Sequence, residues 1–180
     1  MKLITDNSFL MVIDVQEKIF ATMHEQIDTE QNINRIIEGS KVLGLPIVWT
    51  EQYPKGLGPT ISSVRENLEG YDHQEKLFFS CFGDEAIKES IGTLKRNQAL
   101  LCGIEAHVCV YQTARDLLGD DYDVYIVTDA VMSRKESNYH LALDKLRDLG
   151  ARLTSVEMAL FELQQIAKGE TFKAISQIIK

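Results

Sequence analysis

The segment "NQALLCGIEAHVCVYQTARDL", residues 97–117, passes from an apolar run into a helical pattern and sets Cys109 near the first turn of that helix. A free thiol ionises at a pKa of about 8.5, so little of it is thiolate at neutral pH. A helix N-terminus and a nearby ammonium both favour the anion. A neighbouring carboxylate alone disfavours it, yet can take the proton as general base. Asp14 closes the apolar run Phe9–Ile13, and Lys76 stands at the third apolar run, Leu77-Phe78-Phe79. Nucleophile, base and cation together indicate acyl transfer. Cys109 attacks a carbonyl, Asp14 accepts the thiol proton, and Lys76 holds the two negative groups together. Amides of the turn Glu105–Cys109 are placed to donate to the resulting oxyanion. Tyr53, Phe78 and Tyr111 are candidates for lining the substrate pocket.

Each residue alone has a plainer reading. A buried cysteine is usually an inert small hydrophobe, and Cys102, inside an apolar run, fits that description. An Asp after a strand is often a turn former, and a lone Lys76 reads as an edge-strand lysine. The set carries the case. Other chemistries lack their residues: there is no G-x-S-x-G elbow and no H-E-x-x-H, and "GLGPTISS" lacks the lysine of a phosphate-binding loop. His107 lies two residues before Cys109, a spacing that faces another side of a helix. His73 is a competitor that approaches from the third strand, and Cys81 reads as a structural thiol flanking the crevice.

These residues need elements to position them. Phe9–Ile13, Ile47–Trp49, Leu77–Phe79, Ala99–Cys102, Val124–Val127 and the shorter Arg152–Thr154 read as strands. Continuous rather than alternating apolar runs are expected where helices cover both faces of a parallel sheet. Between them, Ile33, Ile36, Ile37, Ser40 and Leu43 share a helix face, as do Val110, Thr113, Ala114, Leu117 and Leu118. Ala142, Leu143, Leu146 and Leu149 make a third stripe, and Gly44, Gly119 and Gly150 stand where left-handed caps belong. The pattern predicts a three-layer α-β-α domain over residues 1–180, with a doubly wound six-stranded parallel sheet. In the order 3-2-1-4-5-6, strands one and four flank the reversal point, where open sheets bind ligands beyond their carboxyl ends. Asp14 and Cys109 would face one crevice there. Residues 52–60, "QYPKGLGPT", read as a long irregular loop, and the tail carrying Phe172, Ile175, Ile178 and Ile179 as a helix packed on the core or on a partner subunit.

The totals bound the function. The chain has 180 residues and a net charge of −8, which works against a nucleic-acid surface. Three cysteines without paired spacing suggest a reducing compartment, and the first apolar run is too short for a signal or a membrane span. A cytoplasmic location and no membrane contact are therefore expected.

The same residues resemble the isochorismatase-like cysteine hydrolases along nearly the whole chain. "VIDVQ" is similar to the family's D-x-Q segment, "EKLFFSCF" to its lysine segment and "GIEAHVCVYQTARDLL" to its nucleophile segment. The resemblance implies Asp14, Lys76 and Cys109 as the catalytic set, a six-stranded parallel sheet, and a cis peptide between Ile104 and Glu105. That linkage would turn the amides of Glu105 and Cys109 toward the substrate oxygen. It also places the chain apart from subgroups. True isochorismatases cleave a vinyl ether without this cysteine, whereas nicotinamidases bind a metal through an Asp-x-His pair and further histidines. "TEQYPKGLGPT" offers no such set, so no metal or other cofactor is expected and nicotinamide becomes a weaker substrate candidate. Many relatives have threonine where this chain has Ala106. The expected activity is hydrolysis of a small amide or related acyl compound through a thioester. Ether hydrolysis in the same crevice, and a non-catalytic binding or scaffold role, are the alternatives. A homo-oligomer is expected from the family and from the apolar tail.

Overall fold

The computed structural model describes residues 2–180. Strands β1 (Ser8–Ile13), β2 (Ile47–Gln52), β3 (His73–Lys76), β4 (Gln98–Ile104), β5 (Asp123–Met132) and β6 (Arg152–Thr154) form one sheet in the order β3-β2-β1-β4-β5-β6. Every pairing is parallel. The helices are α1 (Glu17–Phe20), α2 (Gln26–Val42), α3 (Pro54–Leu57), α4 (Ser62–Asn67) and α5 (Glu85–Thr93) in the first half. They continue as α6 (Tyr111–Gly119), α7 (Glu136–Asp148), α8 (Val156–Gln164) and α9 (Gly169–Ile179). This is the expected three-layer, doubly wound α/β arrangement.

Its cause is visible in β1, where all six residues are buried. Successive side chains of a strand point to opposite faces, so a strand covered on both sides must be apolar throughout. Leu10 and Val12, with Leu100 and Cys102 of β4, pack toward Ile33 and Ile36 of α2 and Leu160 of α8. Phe9, Met11 and Ile13, with Ala99 and Leu101, pack toward Ile87, Ala114, Leu117 and Leu146 of α5, α6 and α7. Each such side chain contributes roughly 1.5–3 kcal/mol when fully removed from water.

Four expectations change. The third strand is His73–Lys76, and Leu77, Phe78 and Phe79 form an exposed segment beyond it. The reason is pairing. Lys76 is opposite Gln52, the last residue of β2, so the following apolar residues have no strand to join. Residues 53–60 are also less irregular than expected. They contain the one-turn α3 and end in a bridge between Thr60 and Gln16. Gly44 and Gly150 take positive φ after α2 and α7, but beyond α6 the left-handed residue is Asp121 and not Gly119, which closes the helix itself. Leu149 falls off the α7 stripe into solvent. The tail helix α9 packs on α2 and α8, with Ile175 fully buried and the Phe172 ring against Phe161. Its apolar face is therefore covered by its own chain.

Candidate active site

Strands β3, β2 and β1 end in a row, and each delivers a polar side chain to the same face of the sheet. Lys76 pairs in register with Gln52, while Thr50 pairs with Ile13, the residue before Asp14. The Lys76 ammonium lies 2.5 Å from Asp14 Oδ2, with both side chains removed from solvent. Thr50 Oγ1 donates to the other carboxylate oxygen, Oδ1, at 2.9 Å. Lys76 also donates to Gln52 Oε1 at 2.7 Å and to the carbonyls of Phe78 and Phe79 at 3.2 Å each. Three ammonium protons thus serve four acceptors, which leaves none for an incoming molecule. Lys76 holds charge and position here.

Cys109 joins this pair from the opposite side of the reversal point. It lies in the turn Ala106–Val110 that follows β4, is 4% exposed, and packs in the same apolar layer as Ile13, Val48 and Cys81. Its thiol lies within electrostatic reach of the Asp14 carboxylate and the Lys76 ammonium. Burial, and then the Asp14 charge, push the thiol pKa well up, against a smaller downward pull from Lys76. The helix N-terminus and ammonium that favour an anion are outweighed, so the resting group is a protonated thiol. Burial works to lower the Lys76 pKa, but Asp14 and the two thiols Cys81 and Cys109 raise it overall, and the ammonium stays charged. Cys81 lies between Thr50 Oγ1, 3.6 Å away, and Thr113, and burial raises its pKa to about 11. The thiol expected to be structural therefore borders the ion pair. Cys102, on the opposite face, has the Met11 carbonyl as its polar partner.

The backbone around these residues is strained where it meets the site. Asp14, Tyr53 and Glu105, at the ends of β1, β2 and β4, have φ of 53°, 37° and 59°. Left-handed conformations of non-glycine residues are uncommon and cluster at functional sites. Among the described residues no peptide bond is cis, which corrects the linkage expected between Ile104 and Glu105. The chain instead changes direction through Gly103, at φ 129°, and left-handed Glu105. A Cβ on Gly103 would collide with the Ile13 backbone, so β4 approaches β1 as closely as it does only with glycine there. The Glu105 carboxylate is clamped by Arg134 Nε at 2.8 Å and faces His107 Nε2 at 3.6 Å.

The other candidates divide. Tyr53 and Phe78 line a depression of about 400 Å³ together with Pro54, Lys76 and Leu77. Asp14 and Cys109 do not line it, so it adjoins the ion pair from the outer side of β3. Tyr111 is elsewhere, partly buried on α6 with Lys145 Nζ 5.7 Å from its ring centre. His73 sits in register with Trp49 on the opposite face of the sheet from Cys109, 3.5 Å from the buried Glu51. It cannot serve the thiol from there. His107 is turned to Ser133 Oγ, 2.9 Å away. No group of three or more His, Cys, Asp or Glu among the described residues is arranged to hold a metal ion. Thr50 and Gln52 are the residues that sequence reasoning missed. The sequence shows them only as part of the polar run Thr50-Glu51-Gln52 that closes β2, with nothing to single them out until the register with Lys76 and Asp14 is known.

Comparison with known proteins bears on the family and the fold. The isochorismatase domain model matches residues 8–158. A secreted isochorismatase effector, Isc1 of Phytophthora sojae, is 41% identical over 184 residues, covering 99% of this chain and 87% of its own. Isochorismatase domain-containing protein 2 of Danio rerio is 37% identical, covering 99% and 89%. A solved structure described as the MAR1 ribonuclease of Caenorhabditis elegans superposes with a TM-score of 0.93 at 34% identity, covering 99% and 92%. The Escherichia coli YcaC product, described as an octameric hydrolase of unknown specificity, gives 0.94 at 18% identity over 99% and 89%, a likeness of fold alone. On the domain match and the close relatives together, this chain belongs to the isochorismatase domain family of hydrolase-like proteins.

Proposed function

We propose that the protein is a cysteine hydrolase of small amides or related acyl compounds. The observation that supports it most is the buried Asp14–Lys76 ion pair with the Cys109 thiol beside it, within electrostatic reach of both charges. Charge balance supplies the mechanism. At rest the group carries one anion, one cation and a neutral thiol. A thiolate beside an ionised Asp14 would place a second anion in a buried site. Transfer of the thiol proton to Asp14 forms the thiolate without changing the net charge. The sulfur then attacks the carbonyl carbon, and backbone amides of the turn Glu105–Cys109 are the donors available to the oxyanion, without the cis linkage first expected to aim them. Collapse to the thioester expels the amine, which takes the proton back from Asp14. Water, deprotonated by Asp14, completes hydrolysis and regenerates the thiol. Lys76 fixes the carboxylate throughout. Tyr53 and Phe78 border the entrance from the outer side.

The substrate is then a small molecule, and the protein works as a homo-oligomer without nucleic acid, membrane or cofactor. The ribonuclease name of the C. elegans relative supplies the second reading, RNA cleavage, which the net charge of −8 disfavours. Incubating wild type and Cys109→Ala with panels of amides, esters and enol ethers, and with an RNA oligonucleotide, separates these. Cysteine-dependent turnover of an amide or ester is expected. Enol ether or RNA cleavage that survives Cys109→Ala would replace this reading.

A further inference from the structure

Gln52 is buried, and every polar group it owns has a partner. Its Oε1 accepts from Lys76 Nζ at 2.7 Å, and its Nε2 donates to the Leu77 carbonyl at 2.9 Å. Its backbone N–H donates to Gln16 Oε1 at 2.7 Å, and its carbonyl accepts from Gln16 Nε2 at 3.0 Å. The second glutamine continues to the Gly58 carbonyl at 2.7 Å, so the pair ties the ends of β1 and β2 to the loop after α3.

Lys76 needs such a tie. It is the last residue of β3, a four-residue strand at the sheet edge that pairs only with β2. A lysine carries about 2 kcal/mol of rotamer entropy when unconstrained. Besides Asp14, Gln52 is the one side chain among the described residues recorded as accepting from this ammonium; the remaining acceptors are the Phe78 and Phe79 carbonyls. Those carbonyls belong to the exposed segment whose first carbonyl Gln52 also grips. One amide therefore holds both the ammonium and the backbone that completes its shell. Its neutrality matters. A carboxylate at the same place would share Lys76 between two anions and add negative charge against a thiolate. An apolar side chain would leave the ammonium free to turn away from Asp14.

We infer that Gln52 is a positioning residue of the proposed site, aiming the Lys76 ammonium at Asp14 and so setting how readily Cys109 ionises. The inference rests on the reading of Asp14, Lys76 and Cys109 as the working set. A purely structural role makes the opposite claim, because loosening the site would expose the buried thiol and speed its reaction.

The test is alkylation of Cys109 by iodoacetamide on the full chain between pH 7 and 10, followed by mass spectrometry of its peptide. Wild type, Gln52→Leu, Gln52→Glu and Lys76→Met are compared, with urea unfolding of each as a check on folding. Hydrogen bonds to charged groups are worth enough that Gln52→Leu should slow alkylation at pH 8 about tenfold. Gln52→Glu should slow it at least as much, and both should move the pH dependence upward. Wild-type or faster alkylation in the Gln52 variants, with Lys76→Met slowed, would overturn the inference and leave the triad reading standing. Wild-type behaviour of Lys76→Met as well would overturn the triad reading itself. If Gln52→Leu does not fold, Gln52→Asn decides in its place, since it keeps a neutral amide while drawing the acceptor back from Lys76, and the same slowing is expected of it.

Discussion

Asp14 receives Thr50 on one oxygen and Lys76 on the other, with the Cys109 thiol beside them. In the proposed mechanism a carboxylate so fixed is a base whose position is decided before substrate arrives, and the thiol stays protonated until then. Asp14→Asn keeps the shape and removes the base, so turnover of any amide or ester that wild type hydrolyses should fall by about 10²–10⁴. Steady-state kinetics read this, and a loss under tenfold would count against the general-base role. The buried thiols also carry a stability consequence. Burial raises the Cys81 thiol to about 11, so the folded state keeps a proton that the unfolded chain releases. The sign follows from linkage: stability is lost as pH rises from the unfolded value through the folded one, reaching about 3 kcal/mol above pH 11. Urea midpoints measured from pH 8 to 11 should fall, and Cys81→Ala should flatten that fall. A midpoint independent of pH over this range would contradict the burial argument.

Among the elements, β4 does the most to assemble the site, because it must run beside β1 and then turn abruptly to present Cys109. Gly103 permits both. Gly103→Ala would put a methyl group into the Ile13 backbone, which cannot move without shifting Asp14. A loss of more than about 2 kcal/mol in unfolding free energy is expected, with activity reduced even in the folded fraction. Chemical denaturation checks the first and kinetics the second. How much of this was legible follows from the type of signal. β1 and β4 were readable because burial on both faces leaves an unbroken apolar run, and α2, α6 and most of α7 because a buried stripe repeats every turn. The end of β3 was not. Leu77-Phe78-Phe79 has strand composition, but pairing stops where β2 stops, and that is a property of the neighbour. The convergence of Asp14, Lys76 and Cys109, the set proposed to work together, was legible by residue type and position. Thr50 and Gln52 were not, since a polar residue at a strand end becomes informative only when its register partner is known. The torsions of Asp14, Tyr53 and Glu105 leave no trace in residue type.

At the scale of the molecule, one sheet with two apolar layers leaves a working edge at the carboxyl ends of β3, β2, β1 and β4. Among the described residues no helix is long and apolar enough to cross a membrane. The tail helix spends its apolar face on α2 and α8, so it no longer argues for assembly. The exposed apolar residues Tyr53, Leu77, Phe78 and Phe79, beside the site, argue for it instead, since monomers rarely expose such contiguous patches. Light scattering after size exclusion should therefore give a mass above the 20.4 kDa of one chain, and Phe78→Ser should lower it. A monomer in both cases would refute this part of the account.

The central claim, that sulfur from Cys109 carries the acyl group, is tested most directly by rapid quenching of a productive amide or ester followed by mass spectrometry of the Cys109 peptide. An acyl adduct should form in wild type, decay as product appears, and be absent along with turnover in Cys109→Ala. Turnover by Cys109→Ala within tenfold of wild type would contradict it.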